Sequence, residues 1–355
     1  DTLGVPAAAP LFFDLHSITS GWECTRMGID VLVSNPCDPG LRPPNYPRIW
    51  MAPAELGLGQ ESSVVIGVAM LVVFFVTALA VLPKDASAAC AVALAAALCS
   101  PAVMLGVERG NVDLAMYVLV ALAALRLGVR ARGVVWASAL VLAAAVLKLF
   151  PIFAIAMLVR RETKRSLLAA GVVLGLFAVY VVATLDDIRA IAAVVPQTDY
   201  YSYGVRLLTE RLADEPRQQI LWDGVIVVVV LLLAILGRRW FRSQFVGSPS
   251  EAARRELDLF WAGASIYVCT YVAFRSFDYR LVFLTLTIPQ LVVWARGNRT
   301  LPRAVLALVL LTLWAEPIAS STGLEIAVLA ELTLFAALVA ALLGSSPSPT
   351  LGAPV

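Results

Sequence analysis

Histidine is nearly absent: His16 is the only one in 355 residues. One imidazole cannot build a His-rich metal site, and His16 reads as a loop residue near an interface. Charged residues make up only 15% of the chain and almost cancel, leaving a formal net charge of +2. No basic stripe interleaved with aromatics occurs, so no nucleic acid partner is expected. The G-x-x-x-x-G-K-[ST], G-x-G-x-x-G and C-x-x-C patterns are missing. A soluble nucleotide or zinc mechanism is therefore unsupported. No internal repeat suggests a transporter built from two related halves. No ligand spacing demands a metal and no cofactor is expected, although outward acids leave a divalent ion open.

Cysteines are few, five in all. Cys90, Cys99 and Cys269 lie in apolar runs and read as small buried side chains. Cys24 and Cys37 lie in a polar segment. They can pair only if that segment is outside the cytoplasm and the geometry fits, and the sequence leaves both states open.

What the chain has in excess is apolar residues, 60% of the total, with a mean hydropathy of +0.85. Soluble domains have about 45–50%. The excess lies in long Ala, Val and Leu runs, which predicts an all-α polytopic membrane protein. The expected spans are 62–82, 88–106, 112–127, 133–147, 150–159, 167–184, 222–237, 258–274, 279–295, 303–318 and 324–343, about 10–11 transmembrane or re-entrant helices. Segment 150–159 is too short to cross upright and opens on Pro151, so it reads as re-entrant or broken. Residues 1–61 form a Pro-rich extracytoplasmic region, 62–343 the transmembrane domain with an outer loop at 185–221, and 344–355 a Ser/Pro-rich disordered tail. The chain opens at Asp1 without a signal-peptide pattern, and a transmembrane helix is expected to precede it.

Orientation follows from Lys and Arg in short loops. Loops at 84–85, 126–132, 160–165, 237–256 and 295–303 hold more than half of the 27 basic residues. They should be cytoplasmic. The intervening loops then face outward and carry most of the acids.

Five outward motifs hold the groups capable of chemistry: FFDLHSI (12–18), ERGNVD (108–113), KLFP (148–151), QTDYYSYG (197–204) and FRSFDYR (274–280). Asp14 sits among aromatic and aliphatic neighbours, where partial burial would tune a general base; the alternative is a solvated loop acid. Glu108 and Arg109 pair with each other or bind a ligand. Asn111 and Asp113 either cap the next helix or contact substrate. Lys148 follows a long apolar run, so it snorkels or binds a phosphate. Arg275 and Arg280 flank Asp278. One is expected to pair with it, leaving the other, by preference Arg280, for an anionic ligand. Tyr200, Tyr201 and Tyr203 either stack on a sugar ring or form an interfacial belt.

Together these motifs resemble the GT-C superfamily of multispanning glycosyltransferases. The branch that they resemble is glycosyltransferase family 87, polyprenyl-phosphate-mannose-dependent mannosyltransferases and their relatives. The resemblance implies a catalytic acid in the first outer loop, the place of Asp14. It also sets GIDVLVSNPCDPGLRPPNYPRIW (28–50), with Asp30 and Tyr46, beside a Gly-x-Asp stretch followed by Tyr-Pro. The Cys-bearing insert departs from that pattern. The implied reaction moves a sugar, mannose or another hexose or pentose, from a polyprenyl-phosphate donor to a glycolipid or glycan acceptor, inverting the anomeric carbon at the outer face of the cell membrane. Lys148, Arg280, Arg275 and Arg109 would hold the donor phosphate. Glu108, Asn111, Asp113, Asp30, Tyr46, Tyr201 and Asp278 would contact substrate. Two other readings use the same charges: a transporter or flippase of a lipid-linked or anionic solute, and an inactive scaffold. Mid-span regions of almost pure Ala, Val and Leu, Glu331 excepted, favour the enzyme.

Overall fold

The computed structural model describes residues 5–127, 132–195, 201–245, 251–273, 275–296, 299–315 and 324–345. Among the described residues the chain is mainly helical, with one pair of two-residue strands. In order come α1 (Phe13–Arg26), a 3₁₀ helix (Arg48–Leu56), α2 (Ser63–Ala80), α3 (Ala88–Leu98), α4 (Pro101–Arg109), α5 (Asp113–Leu127), α6 (Gly133–Leu147), a 3₁₀ helix (Phe150–Ile155), α7 (Ala156–Val159), α8 (Lys164–Ala183) and α9 (Leu185–Val194). There follow β1 (Ser202–Tyr203), α10 (Val205–Leu212), α11 (Pro216–Leu236), α12 (Arg238–Phe245), α13 (Glu251–Ala273), β2 (Ser276–Phe277), a 3₁₀ helix (Asp278–Thr287), α14 (Ile288–Ala295), α15 (Thr300–Leu313) and α16 (Leu324–Ser345). Of the expected disordered tail at 344–355, Gly344 and Ser345 instead close α16, and 346–355 lie outside the described residues.

Among the described residues four helices are long and apolar enough to cross a bilayer: Gln60–Ala80, Lys164–Ala183, Pro216–Leu236 and Ile326–Ser345. A fifth span is possible if α3 and α4, bent by 52° at their junction, count as one. The protein is therefore an all-α polytopic membrane protein, and among the described residues it has fewer full-length spans than the apolar runs suggest. The bend has a local cause. Ser100 accepts a hydrogen bond from Val103 N, and Pro101 opens the next helix, a start signal that ends the previous turn. Cys99 at this break is exposed, not buried as expected. Segment 150–159 is broken, a 3₁₀ turn leading into α7. The run at 279–295 also divides, into 3₁₀ and α portions, with Pro289 at the start of α14.

Helices that flank the bundle keep apolar outer faces. Only 17% of the α8 window and 11% of the α11 window are buried, as expected for surfaces solvated by lipid tails. α5 is the opposite, buried on nearly every side. Phe74, Tyr117 of α5, Phe283 and Phe150 form a chain of ring contacts, edge-to-face at both ends and tilted in the middle. Tyr203 belongs to this interior. It is fully buried, stacked on Tyr267 and bonded through its hydroxyl to Thr270, so it neither faces a sugar nor forms a belt.

The N-terminal region packs as a second, smaller core of Phe12, Leu15, Ile18, Trp22, Val31, Tyr46 and Met51. FFDLHSI is thus helical, not a loop, and His16 is buried on α1. Thr19 and Ser63 join α1 to α2 through a 2.6 Å hydroxyl pair. Cys24 and Cys37 form a disulfide.

The basic loops gather at one end. Arg160 and Arg161 each reach buried Asp258 at 2.5 Å, Arg255 donates to Ala80 O, and Arg299 donates to Gln244 O at 3.0 Å. Asp113 starts α5 and Arg126 stands near its finish. Fifteen residues at 1.5 Å rise put roughly 22 Å between the helix ends.

Candidate active site

α4 ends at Gly110, whose φ of 58° closes the helix in the left-handed conformation. The chain then turns through Asn111 into α5. Asn111 Oδ1 accepts from Asp113 N at 3.0 Å, and its Nδ2 donates to Asp14 Oδ2 at 2.7 Å. Asn111 therefore caps α5, one of the two readings the sequence posed, and its amide nitrogen is bonded to Asp14.

Asp14 reaches that partner because Phe12 is wedged in place. A Cβ on Gly110 would lie 2.7 Å from Phe12 Cβ, and one on Gly67 would lie 2.3 Å from the Phe12 ring. Only glycine admits the ring at both points. Phe12 itself has φ 61°.

Asp14 opens into a cavity of about 510 Å³. Phe13, Arg42, Tyr46, Arg109, Tyr201 and Tyr279 share the lining. Arg42 Nη1 is 3.9 Å from Asp14 Oδ1. Its guanidinium lies 3.5 Å from the Phe13 ring centroid, and that of Arg109 lies 5.6 Å away. Burial raises the Asp14 carboxyl above its ordinary value, against the opposing pull of Asn111, Arg109, Arg42 and Lys148. Desolvation disfavours the charged form, and that effect prevails here. Burial likewise pushes the Tyr46 phenol well up, so it stays a neutral donor.

Two distant motifs are joined at the rim. β1 and β2 pair antiparallel, Ser202 opposite Phe277 and Tyr203 opposite Ser276. Asp278 N donates to Tyr201 O at 2.8 Å. This brings Tyr201, Phe277 and Tyr279 to one wall. Tyr200 lies outside the described residues. Among the described residues four non-glycines have positive φ, and Phe12, Leu41 and Tyr201 of these adjoin or line the cavity. Left-handed backbone costs roughly 1–2 kcal/mol per residue. Such strain clusters where side-chain placement matters.

Behind Asn111 lies a buried ion triad. Asp113, fully buried, takes Lys148 Nζ at 2.5 Å and Arg280 Nε at 3.4 Å. Arg280 also donates to Ser276 Oγ at 2.9 Å and lies 4.2 Å from the Phe150 ring centroid. Lys148 Nζ stands 5.0 Å and 5.6 Å from the rings of Tyr46 and Tyr279, both on the cavity wall. Trp50 anchors this corner, its Nε1 donating to Leu147 O at 2.8 Å. Arg280 is therefore engaged by Asp113, where the sequence left it open for a ligand.

The other expected site residues divide. Glu108 pairs with Arg109 at 3.2 Å. Arg275 pairs with Glu210, and Asp278 is buried beside the β pair. Asp30 stands apart. Arg48 holds it at 2.9 Å and reaches Asp187 of α9 at 2.8 Å.

The profile of glycosyltransferase family 87 matches residues 49–253. The chain belongs to glycosyltransferase family 87. No curated protein and no solved structure gives a significant match. Membership makes this family 87 chain a transferase with a sugar donor and an acceptor. The matched segment contains Glu108–Asp113 and Lys148. Asp14, Arg42, Tyr46 and Arg280 lie outside it.

Arg42 lines the cavity, and sequence reasoning missed it. Its signal was the Asp38-Pro-Gly-Leu-Arg42 turn, a carboxylate four residues before a guanidinium. Phe13 and Tyr279 were also missed, although both sit inside motifs singled out for other residues.

Proposed function

We propose that the chain transfers a sugar from a polyprenyl-phosphate donor to a glycolipid or glycan acceptor outside the cytoplasm, with inversion. The observation that carries this reading is the sharing of one cavity by Asp14 and the guanidinium groups of Arg42 and Arg109. Asp14 removes the proton from an acceptor hydroxyl. The oxygen forms a bond to the anomeric carbon as the bond from that carbon to the phosphate oxygen breaks. The electron pair leaves with the lipid phosphate, and the proton stays on Asp14.

Growing phosphate charge needs cations held in a poorly solvated site. Arg42 and Arg109 line the cavity and suit bidentate phosphate contact. Lys148 and Arg280 act from behind the Tyr46 and Tyr279 wall. Phe13, Tyr201 and Tyr279 offer faces to a sugar ring. The position of this group across α5 from the gathered basic loops supports an extracytoplasmic site, since basic loops stay inside. Mannose or another hexose or pentose is the expected sugar.

The test is a transfer assay in membranes with a panel of radiolabelled polyprenyl-phosphate sugars. One donor should give product with the native chain and none with Asp14→Asn. Normal turnover by Asp14→Asn would remove Asp14 as the base. No product from any polyprenyl-phosphate donor, beside turnover of a nucleotide-linked sugar, would remove the donor class.

A further inference from the structure

The insert that departs from the family pattern is tied to the cavity through a single carboxylate. Asp38 follows Cys37 directly, and its side chain is fully buried. Its Oδ2 accepts from Arg42 Nε at 2.9 Å and its Oδ1 accepts from Arg42 Nη2 at 3.1 Å. Oδ2 also accepts from the backbone N–H of Gly40 at 3.0 Å and of Arg42 at 3.2 Å. The first two bonds fix the guanidinium plane, and the backbone pair holds the carboxylate. With Nε and Nη2 occupied, Nη1 is the arm left nearest Asp14.

The hairpin that carries Asp38 is fastened independently at its base. The disulfide joins Cys37 to Cys24 on α1. Gln60 Nε2 donates to Cys37 O at 2.6 Å. Asn35 Nδ2 bridges Ser17 O, Ser20 Oγ and Arg42 O at 3.2–3.3 Å. Arg42 Nη2 closes the ring on Phe13 O at 2.8 Å, one residue from Asp14. Leu41 carries a φ of 54° in this turn, and that strained backbone throws Arg42 inward.

We propose that Asp38, anchored by the Cys24–Cys37 disulfide, is a positioning residue that aims Arg42 at the anion bound beside Asp14. This inference rests on the proposed donor chemistry and adds a residue and a covalent clasp to it. Asp38 touches no substrate. Its effect runs wholly through Arg42. A full-length bidentate pair is lost when one carboxylate oxygen becomes an amide, because guanidinium and amide N–H groups are both donors.

A double-mutant cycle separates positioning from mere folding. The probe is farnesyl phosphate as a competitor of the donor, with the full chain in detergent. Arg42→Ala should raise its inhibition constant about tenfold or more, on the scale of a lost charged hydrogen bond. Asp38→Asn should raise it several-fold. Asp38→Asn in the Arg42→Ala background should add nothing further. Losses that multiply across the two sites would overturn the proposal, as would an Asp38→Asn variant with unchanged competition.

If Asp38→Asn does not fold, Cys24→Ser/Cys37→Ser takes its place in the same cycle with the same two outcomes. The pH–rate profile gives a second readout. Asp14 faces Arg42, Arg109, Lys148, Asn111, Tyr46 and Tyr279, and a displaced Arg42 should move only the acid limb, upward. An acid limb that stays put in Asp38→Asn counts against positioning. Asp14→Asn keeps the outcomes apart: if it turns over, the base assignment fails whatever the cycle shows. If it is inactive yet binds farnesyl phosphate, the cycle judges Asp38 alone.

Discussion

Asn111 donates to Asp14 at 2.7 Å while its own oxygen caps α5 at Asp113 N, 3.0 Å away. One amide therefore couples a helix start to the orientation of the proposed base. Asn111→Ala should cut turnover about 10²-fold, the lower range for a lost positioned group in a dry site. It should also cost about 1 kcal/mol of stability through the lost cap. Asn111→Ser separates the two, because its hydroxyl can cap but cannot reach Asp14. Thermal unfolding in detergent should recover while turnover stays low. Recovery of both would leave the Asp14 contact without a role.

The raised Asp14 carboxyl sets a pH dependence of definite sign. A base must be ionised, so the rate should climb with pH through a limb above the ordinary carboxylate range. Stability runs the other way. A carboxyl with a folded pKa above its unfolded one favours the fold below the unfolded pKa and loses that contribution as pH rises through the folded value. Asp14→Asn should thus be inactive and no less stable than the native chain at neutral pH, with the difference closing toward acid pH. Unfolding midpoints of both chains across pH check this.

How much of this was legible in the sequence depends on the range of each contact. Part of the ERGNVD cluster could be read because those contacts are local, Asn111 with Asp113 and Glu108 with Arg109; the bonds of Asn111 to Asp14 and of Asp113 to Lys148 are tertiary. The helical membrane class followed from apolar run length alone. Among the described residues fewer full spans emerged because Pro289 divides one run and because helices such as Gly133–Leu147 and Thr300–Leu313 are too short to cross upright. Arg280 was read from its neighbour Asp278, but its partner Asp113 lies 167 residues away. The sequence places Asp14 in a loop, as a tuned base or a solvated acid, because the packing of Phe12 between Gly67 and Gly110 at the start of α1 is tertiary. Tyr203 and Tyr201 share one motif, and only the β pairing shows that one faces inward and the other faces the cavity.

Asp113 holds two cations in a nearly dry corner, where Lys148 is 14% and Arg280 11% exposed. Removing the carboxylate leaves like charges buried together. Breaking a buried pair costs about 3–5 kcal/mol. Asp113→Ala should fall in or above that range. Arg280→Ala should cost less, because Lys148 and Asp113 still neutralise each other. Unfolding midpoints in a common detergent rank the two. Equal losses would mean that Asp113 does not serve as the shared counterion.

Cavity orientation can be tested chemically. Leu41 lines the cavity and is 69% exposed, while Arg239 lies in the basic stretch after α11. In a background lacking exposed Cys99, Leu41→Cys should react with a membrane-impermeant maleimide in intact cells. Arg239→Cys should react only after the membrane is opened. The reverse pattern would put the cavity on the cytoplasmic face.

Gly110→Ala joins backbone and packing in one substitution. Its φ of 58° costs alanine roughly 1–2 kcal/mol. The new Cβ would also lie 2.7 Å from Phe12 Cβ, closer than packed carbons stand. Phe12 must move, and Asp14, two residues on, moves with it. Turnover should fall further than the stability loss alone explains. Phe12→Gly should restore part of the stability of Gly110→Ala, because it removes the colliding atom. It should not restore turnover, because the wedge that aims α1 is then gone. If Phe12→Gly/Gly110→Ala regained full turnover, Phe12 would be filler and Asp14 would owe its position to Asn111 and Arg42 alone.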